Sequence, residues 1–447
     1  MKLISKFALA FALSATAFGS AAVAKDKDEK AAKPAAAPKL KLSPEFSKAA
    51  DPVIKAINAK ISAKDEAGKK AEKQKNYLAG KAAFPAAVAA IKNDDDKFQA
   101  ANIAINLAIE LQDPALQRQS VDLYLASTTT PAGDRPAYEF QKGLFAAADK
   151  DYALAEQLTV GAYNAGYRRA DAEVKVSQIF SAQKKYSDAL TWIVKGIDAA
   201  KATNKPIPAD WYRAAFIYSR DLKQGPGIIQ YGLEMVRTDP NSATYHDGLL
   251  NFINYSEFDS QEALDVYRLA RQTKSLRVVQ EYNQYLENLD ANRYPGEAVA
   301  LIDEGYASGL ISKNNTTFAK AYADAKAAVA VLEQTREQDT AAAKNDARGY
   351  PAALQGDALL SLGRNAEAIE LYNIALQKGN LVDKEGKDQT NKIRMHLGIA
   401  KARSGDWAGA KAEMAKVQGN RKSIADFWTV YIDQQLNPAP AKAPAAG

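Results

Sequence analysis

Apolar positions recur at three- and four-residue spacing along most of the chain, and runs of alternating β-branched residues are scarce. The pattern is sharpest over Gly349–Asn380, GYPAALQGDALLSLGRNAEAIELYNIALQKGN. Gly356 lies in one helical run, Gly363 falls in the turn after it, and Ala368, Tyr372 and Ala375 mark a second run. This spacing predicts a helix–turn–helix, because side chains three and four apart share one face of a helix. The second helix carries a small residue twelve after Gly356 and another seven later.

The same ladder recurs. Gly143, Ala155 and Ala162 match it, as do Ser177, Ala189 and Gly196, with a weaker copy at Ala108, Ser120 and Ser127. Ala215, Gly227 and Glu234 keep two small positions; so do Asn251, Ala263 and Ala270, and Leu286, Ala298 and Gly305. Gly398, Ala410 and Val417 close the series. The middle positions, Ser120, Ala155, Ala189, Gly227, Ala263, Ala298, Ala368 and Ala410, stand 35, 34, 38, 36, 35, 70 and 42 residues apart. Small residues at fixed places let two helices approach closely, and a large residue four later (Tyr231, Tyr267, Tyr372, Met414) fills the adjacent groove.

This helix–turn–helix ladder resembles the tetratricopeptide repeat, a unit of about 34 residues that buries its apolar side only by stacking on neighbours. The resemblance covers roughly residues 102–419 and departs from the family pattern in having only Trp211 for its early tryptophan and Pro240 as a loose match to its closing proline. It implies an all-α fold, an α–α superhelix with terminal capping helices. The expected organisation is a signal peptide at 1–24, a disordered Ala/Pro/Lys tether at 25–44, N-terminal helices at 45–100 and a front array at 101–310. A long helical segment follows at 311–347, then rear repeats at 348–420, a capping helix at 421–436 and a disordered Ala/Pro tail at 437–447.

Order is expected to begin at Asp51-Pro52, a cap followed by a proline suited to the first turn. Asp94-Asp95-Asp96 reads as a solvated turn. Asn314–Asp346, without Gly or Pro, has two readings, a hinge between front and rear arrays or a repeat with an overlong helix. The stripe Ile424, Phe427, Trp428, Tyr431 and Ile432 suggests a helix covering the open end of the solenoid, the alternative being a docking helix for another protein.

The amino terminus narrows the location. Lys2 and Lys6 precede an apolar run, Phe7–Gly19, and Ala22-Val23-Ala24 matches a small-x-small cleavage pattern. Thirteen apolar residues are too few to span about 30 Å of hydrocarbon. With no cysteine anywhere, these features point to a cleaved leader and a bacterial periplasm, and no later stretch reads as a membrane segment. A formal charge of +6 spread over 447 residues argues against nucleic acid as a partner.

No catalytic constellation, cofactor motif or metal-ligand spacing stands out. His246 and His396 are isolated on predicted helices, and neither a phosphate loop nor a G-x-S-x-G elbow occurs. A catalytic site would need residues converging from separate repeats. The family resemblance instead implies a concave groove for a peptide segment of another envelope or secreted protein. Carried onto this chain, its groove positions are Phe140, Tyr212, Phe216, Arg220, Tyr245, Phe252, Tyr255 and Asn283. The same rings suit packing between helices equally well. A glycan in the groove, for an accessory or assembly factor of envelope polysaccharide, is the first alternative to a protein partner, and a hydrolase with a composite site the second.

Overall fold

The computed structural model describes residues 40–169 and 171–438. Among them are twenty helices, no strand, and one isolated β-bridge between Val382 and Asp388. The expected leader, most of the tether and nearly all of the tail lie outside the described residues. The fold is all-α, built of tetratricopeptide-like hairpins, and it divides into two units. Of the described residues, unit 1 holds 40–148 together with Gly161–Gly166, and unit 2 holds Asp149–Val160 and those from Tyr167 to 438.

Unit 1 contains α1 (Pro44–Ile57), α2 (Glu66–Ala89), α3 (Asp94–Leu111), α4 (Pro114–Ala126) and α5 (Arg135–Ala148). Helix α1 starts one cap earlier than expected. Ser43 accepts from the Phe46 amide and Pro44 takes the first turn, the same chemistry as Asp51-Pro52 but eight residues upstream. Pro52 then lies inside α1 on its exposed side, where water can satisfy the carbonyl that loses its donor.

The acidic run is also placed differently: it opens α3 and ties three segments together. Asp96 is fully buried and accepts from the Ser43 hydroxyl (2.7 Å) and from the amides of Ser43 and Lys92 (2.9 Å each). Asp95 accepts from the Lys41 amide (2.7 Å) and the Thr129 hydroxyl (2.5 Å). Asp94 accepts from Lys97 and Thr128. Three carboxylates at a helix amino terminus meet free N–H groups and the positive end of the helix dipole, so they are bound there rather than solvated.

Helix α6 (Tyr152–Asn164) carries the boundary between the units. Unit 2 continues with hairpins α7 (Ala172–Ala182) and α8 (Tyr186–Ala202), α9 (Ala209–Asp221) and α10 (Gly225–Thr238), α11 (Ser242–Asn254) and α12 (Ser260–Gln272), and α13 (Val279–Asn288) and α14 (Pro295–Ala307). The single 30-residue helix α15 (Thr316–Asn345) leads to α16 (Tyr350–Ser361) with α17 (Asn365–Lys378), then α18 (Thr390–Arg403) with α19 (Trp407–Met414), and last α20 (Arg421–Leu436). The ladder marks the places where paired helices touch. Ser177 donates to the Ala189 carbonyl at 2.7 Å. A Cβ on Gly356 would lie 2.9 Å from the Tyr372 ring, and one on Gly398 would lie 2.8 Å from Met414 Cε. Each glycine is what admits its large partner.

The rear hairpins do not simply extend the front ones. Helix α16 packs on α14 and α20 packs on α10 and α12, while α18 meets α12 through His396, with α17 and α19 paired to α16 and α18. Helix α12 is enclosed between two layers, and all nine residues Glu262–Ala270 are buried. One apolar core consequently runs from Tyr245 and Phe252 through Leu264 and Leu269 to Phe427, Trp428 and Ile432.

Candidate functional site

The enclosure of α12 brings charged side chains from five elements into the core of unit 2. Asp265 and Arg268 project from α12, Glu297 from α14, Asp357 from α16, Lys392, His396 and Arg403 from α18, and Arg421 from α20. Arg268 is fully buried and donates to both oxygens of Glu297 (3.0 and 2.8 Å) and to Asp265 (3.0 Å). Its guanidinium also lies over the Tyr294 ring, 4.8 Å from the centroid. His396 joins two carboxylates: Nδ1 is 2.6 Å from Asp357, while Nε2 is 3.1 Å from Asp265 and 3.0 Å from Arg268. Tyr285 donates to Glu297 (2.7 Å), and Tyr372 (2.8 Å) and Tyr294 (3.1 Å) donate to Asp357.

Burial alone would push these carboxyls up. The charges around them prevail, with His396, Arg421 and Arg268 holding Asp265 at about 2. Arg268 and Arg403 hold Glu297 low, and Lys392, His396 and Arg293 hold Asp357 well below the usual carboxylate range. Groups depressed in the folded state contribute stability that is present above their unfolded values, near pH 4, and is lost as pH falls through the folded ones. The urea midpoint of unit 2 should therefore drop steeply on acidification from about pH 4 to pH 2. A midpoint that stays flat across that window would show that the network contributes little.

Among the described residues, no group of three or more His, Asp or Glu could hold a metal ion. The acid pair Asp265 and Asp357 is buried and hydrogen-bonded to protein partners, so the cluster functions as a fastener between helix layers. The histidine expected to stand alone, His396, is at its centre. The second histidine also has partners: His246 Nε2 lies 2.8 Å from Glu281 and Nδ1 lies 3.2 Å from Asp247.

The eight expected groove residues separate into two groups. Phe140 is buried in unit 1, and Tyr212, Phe216, Tyr245 and Phe252 are buried in unit 2. Tyr245 donates to Gln434 (2.7 Å) and Phe252 stacks on Phe427 (5.1 Å), so both rings are covered by α20. Phe216 lies beneath Gly232 on the neighbouring helix. These five rings therefore serve as core and not as a groove lining, because bare aromatic faces gain more from packing between helices than from water. Arg220, Tyr255 and Asn283 remain at least partly exposed, with Arg220 paired to Asp221 and Asn283 donating to Glu287 at 2.6 Å.

A polar strip crosses the first helices beside them. Arg213 on α9 lies 3.6 Å from both Asp239 and Asp247, and His246 on α11 reaches Glu281 on α13. Two shallow surface concavities also occur. One, in unit 1, is lined by Lys81, Phe84, Pro85, Val88 and Leu116, and the other, in unit 2, by Asp303, Tyr306, Lys313 and Tyr322.

No protein-family model and no curated protein matches the chain. Solved structures similar to it include the TPR2AB-domain:pHSP90 complex of yeast Sti1, at 12% identity over 68% of this chain and 97% of that one, with a TM-score of 0.18. The TPR domain of P58(IPK) is 12% identical over 88% of this chain and 99% of its own, with a TM-score of 0.21. Superpositions this loose transfer no partner and no site. The hairpin architecture rests on the chain's own ladder and helix pairs, and among the described residues no helix is long and apolar enough to cross a membrane.

Proposed function

We propose that the chain is a non-enzymatic interaction scaffold of the bacterial periplasm, binding a segment of another envelope or secreted protein on the first-helix face of α9, α11 and α13. The observation that carries this reading is the half-exposed strip Arg213, Asp247 and His246, which links three successive hairpins, with Arg220 and Asn283 part-exposed on α9 and α13 and Tyr255 exposed at the end of α11. Charged groups that pair only loosely across hairpins, as Arg213 does at 3.6 Å, can exchange partners with an incoming chain at small cost. The rear part supplies a parallel within the molecule, since α20 packs on α12 and α18 reaches it through His396. The leader features, Lys2, Lys6 and Ala22-Val23-Ala24, support the location.

The test is capture from envelope extract with the mature protein. A specific protein partner retained by wild type and by Lys326→Glu, but lost by Arg213→Glu/Arg220→Glu, is the expected result. Retention on immobilised envelope glycan with no protein partner would overturn it. A mature protein whose amino terminus is not Lys25, or which fractionates with the cytoplasm, would overturn the location.

A further inference from the structure

One edge of the buried network holds more positive charge than its carboxylates balance. Five cations (Arg268, Arg293, Lys392, Arg403 and Arg421) face three carboxylates (Asp265, Glu297 and Asp357). The surplus is not spread evenly. Arg268 and Arg403 serve Glu297, while Arg293, Lys392 and Arg421 lie toward Asp357 and Asp265. Asp357 is already saturated: Tyr372 and His396 occupy Oδ1, and Arg293 and Tyr294 occupy Oδ2. Lys392, whose side chain is only 7% exposed, is left 3.4 Å from that same Oδ2. The Nε of Arg293 is buried with no hydrogen-bond partner. Arg421 uses one nitrogen, Nη1, on Asp265 and the Gln261 carbonyl (3.3 Å). Two further acids have other partners, although Asp259 also feels the charge of Arg421. Asp259 caps α12 and pairs with Lys387, and Asp383 accepts from the amides of Glu385 and Lys387 and from Gln389.

We infer that Arg293, Lys392 and Arg421 frame a binding site for a dianionic phosphate group, free or as a phosphomonoester, at the α12–α16–α18–α20 joint. Two negative charges match the surplus, and three cations from separate elements can each approach a different oxygen of a tetrahedral anion. Burial disfavours the Lys392 ammonium most; Asp357 and Asp265 offset part of that penalty while Arg293 and Arg421 add to it, and the net lowering is what an added anion relieves. The site joins helices from both arrays, so occupancy stabilises the folded chain through binding linkage.

The test uses the intact mature protein and thermal unfolding in inorganic phosphate against chloride at matched ionic strength. Wild type should gain several degrees in Tm at about 100 times the dissociation constant. Lys392→Gln should unfold earlier than wild type in chloride, because Asp357 loses one of its cations, and against its own chloride baseline should lose most of the phosphate gain. Lys411→Gln, a surface control whose lysine pairs with Asp433, should keep it. Glycerol phosphate in a parallel arm separates the sources: a gain there equal to that from phosphate assigns a phosphomonoester, and a gain from inorganic phosphate alone assigns the free ion. Equal phosphate gains in wild type and Lys392→Gln, or no gain in wild type, would overturn the site.

Discussion

Replacing Arg268 by methionine should destabilise unit 2 by about 3–5 kcal/mol, the cost of breaking a buried ion pair from one side. The guanidinium has no exposed surface and gives three of its hydrogen bonds to Glu297 and one to Asp265. Methionine fills much of the same volume, so the loss would be electrostatic rather than a packing defect. Glu297 would keep only the Tyr285 hydroxyl and Arg403 at 3.5 Å, and Asp265 would keep Arg421 and His396. Urea unfolding monitored by circular dichroism measures the change. Arg268→Met/Glu297→Gln should recover part of it, because the orphaned charge is then gone, and the two substitutions should be strongly non-additive. A single-variant loss below about 1 kcal/mol would mean that water or rearranged partners already compensate the charge.

That network marks the limit of what the amino-acid pattern could convey. The hairpins were legible because their signal is local: small residues at Gly356, Ala368 and Ala375 are spaced by the geometry of two crossing helices, and the same pairs meet in the structure. Fold class follows from that spacing. The start of α1 was harder, since Ser43-Pro44 and Asp51-Pro52 present the same cap chemistry and only the apolar anchor Phe46 favours the first. Ala263, Tyr267 and Ala270 mark one packed face of α12, but the burial of its charged face left no periodic trace. SQEALDVYRLARQ reads as a half-polar surface helix, yet Asp265 and Arg268 are fully buried because partners on other helices (Glu297, His396, Arg421) neutralise them. Periodicity assigns charge to the solvent face, and only tertiary pairing reverses the assignment. A faint cue lies beside the ladder, where Glu297 immediately precedes Ala298 and Asp357 immediately follows Gly356. The buried rings among the expected groove residues were illegible for the opposite reason: aromatic residues on first helices suit a ligand face and an interhelical core equally, and α20 makes the choice for Tyr245 and Phe252 by covering them.

Trp428→Ala should cost about 3–5 kcal/mol, the range for deleting a large buried ring whose cavity cannot collapse fully. The indole is fully buried, donates from Nε1 to the Asp265 carbonyl at 3.1 Å and meets Tyr431 edge to face at 6.1 Å. Its neighbours extend the contact, since Phe427 stacks on Phe252 and Gln434 donates to the Val236 carbonyl while accepting from Tyr245. A helix that only closed the end of the rear array would, when loosened, expose amides of α18 and α19 and nothing further. Packing on α10 and α12 predicts a wider effect, with hydrogen-exchange protection falling in those two helices as well, because residues sharing one core open together. Trp428→Phe divides the contributions. It retains most of the ring but leaves the Asp265 carbonyl without its indole donor, and should cost about 1–2 kcal/mol beyond the volume change. If protection in α10 and α12 stays at the wild-type level in Trp428→Ala while α18 and α19 open, α20 is a terminal cap alone, and the joint between the arrays is held by the Arg268 network without it.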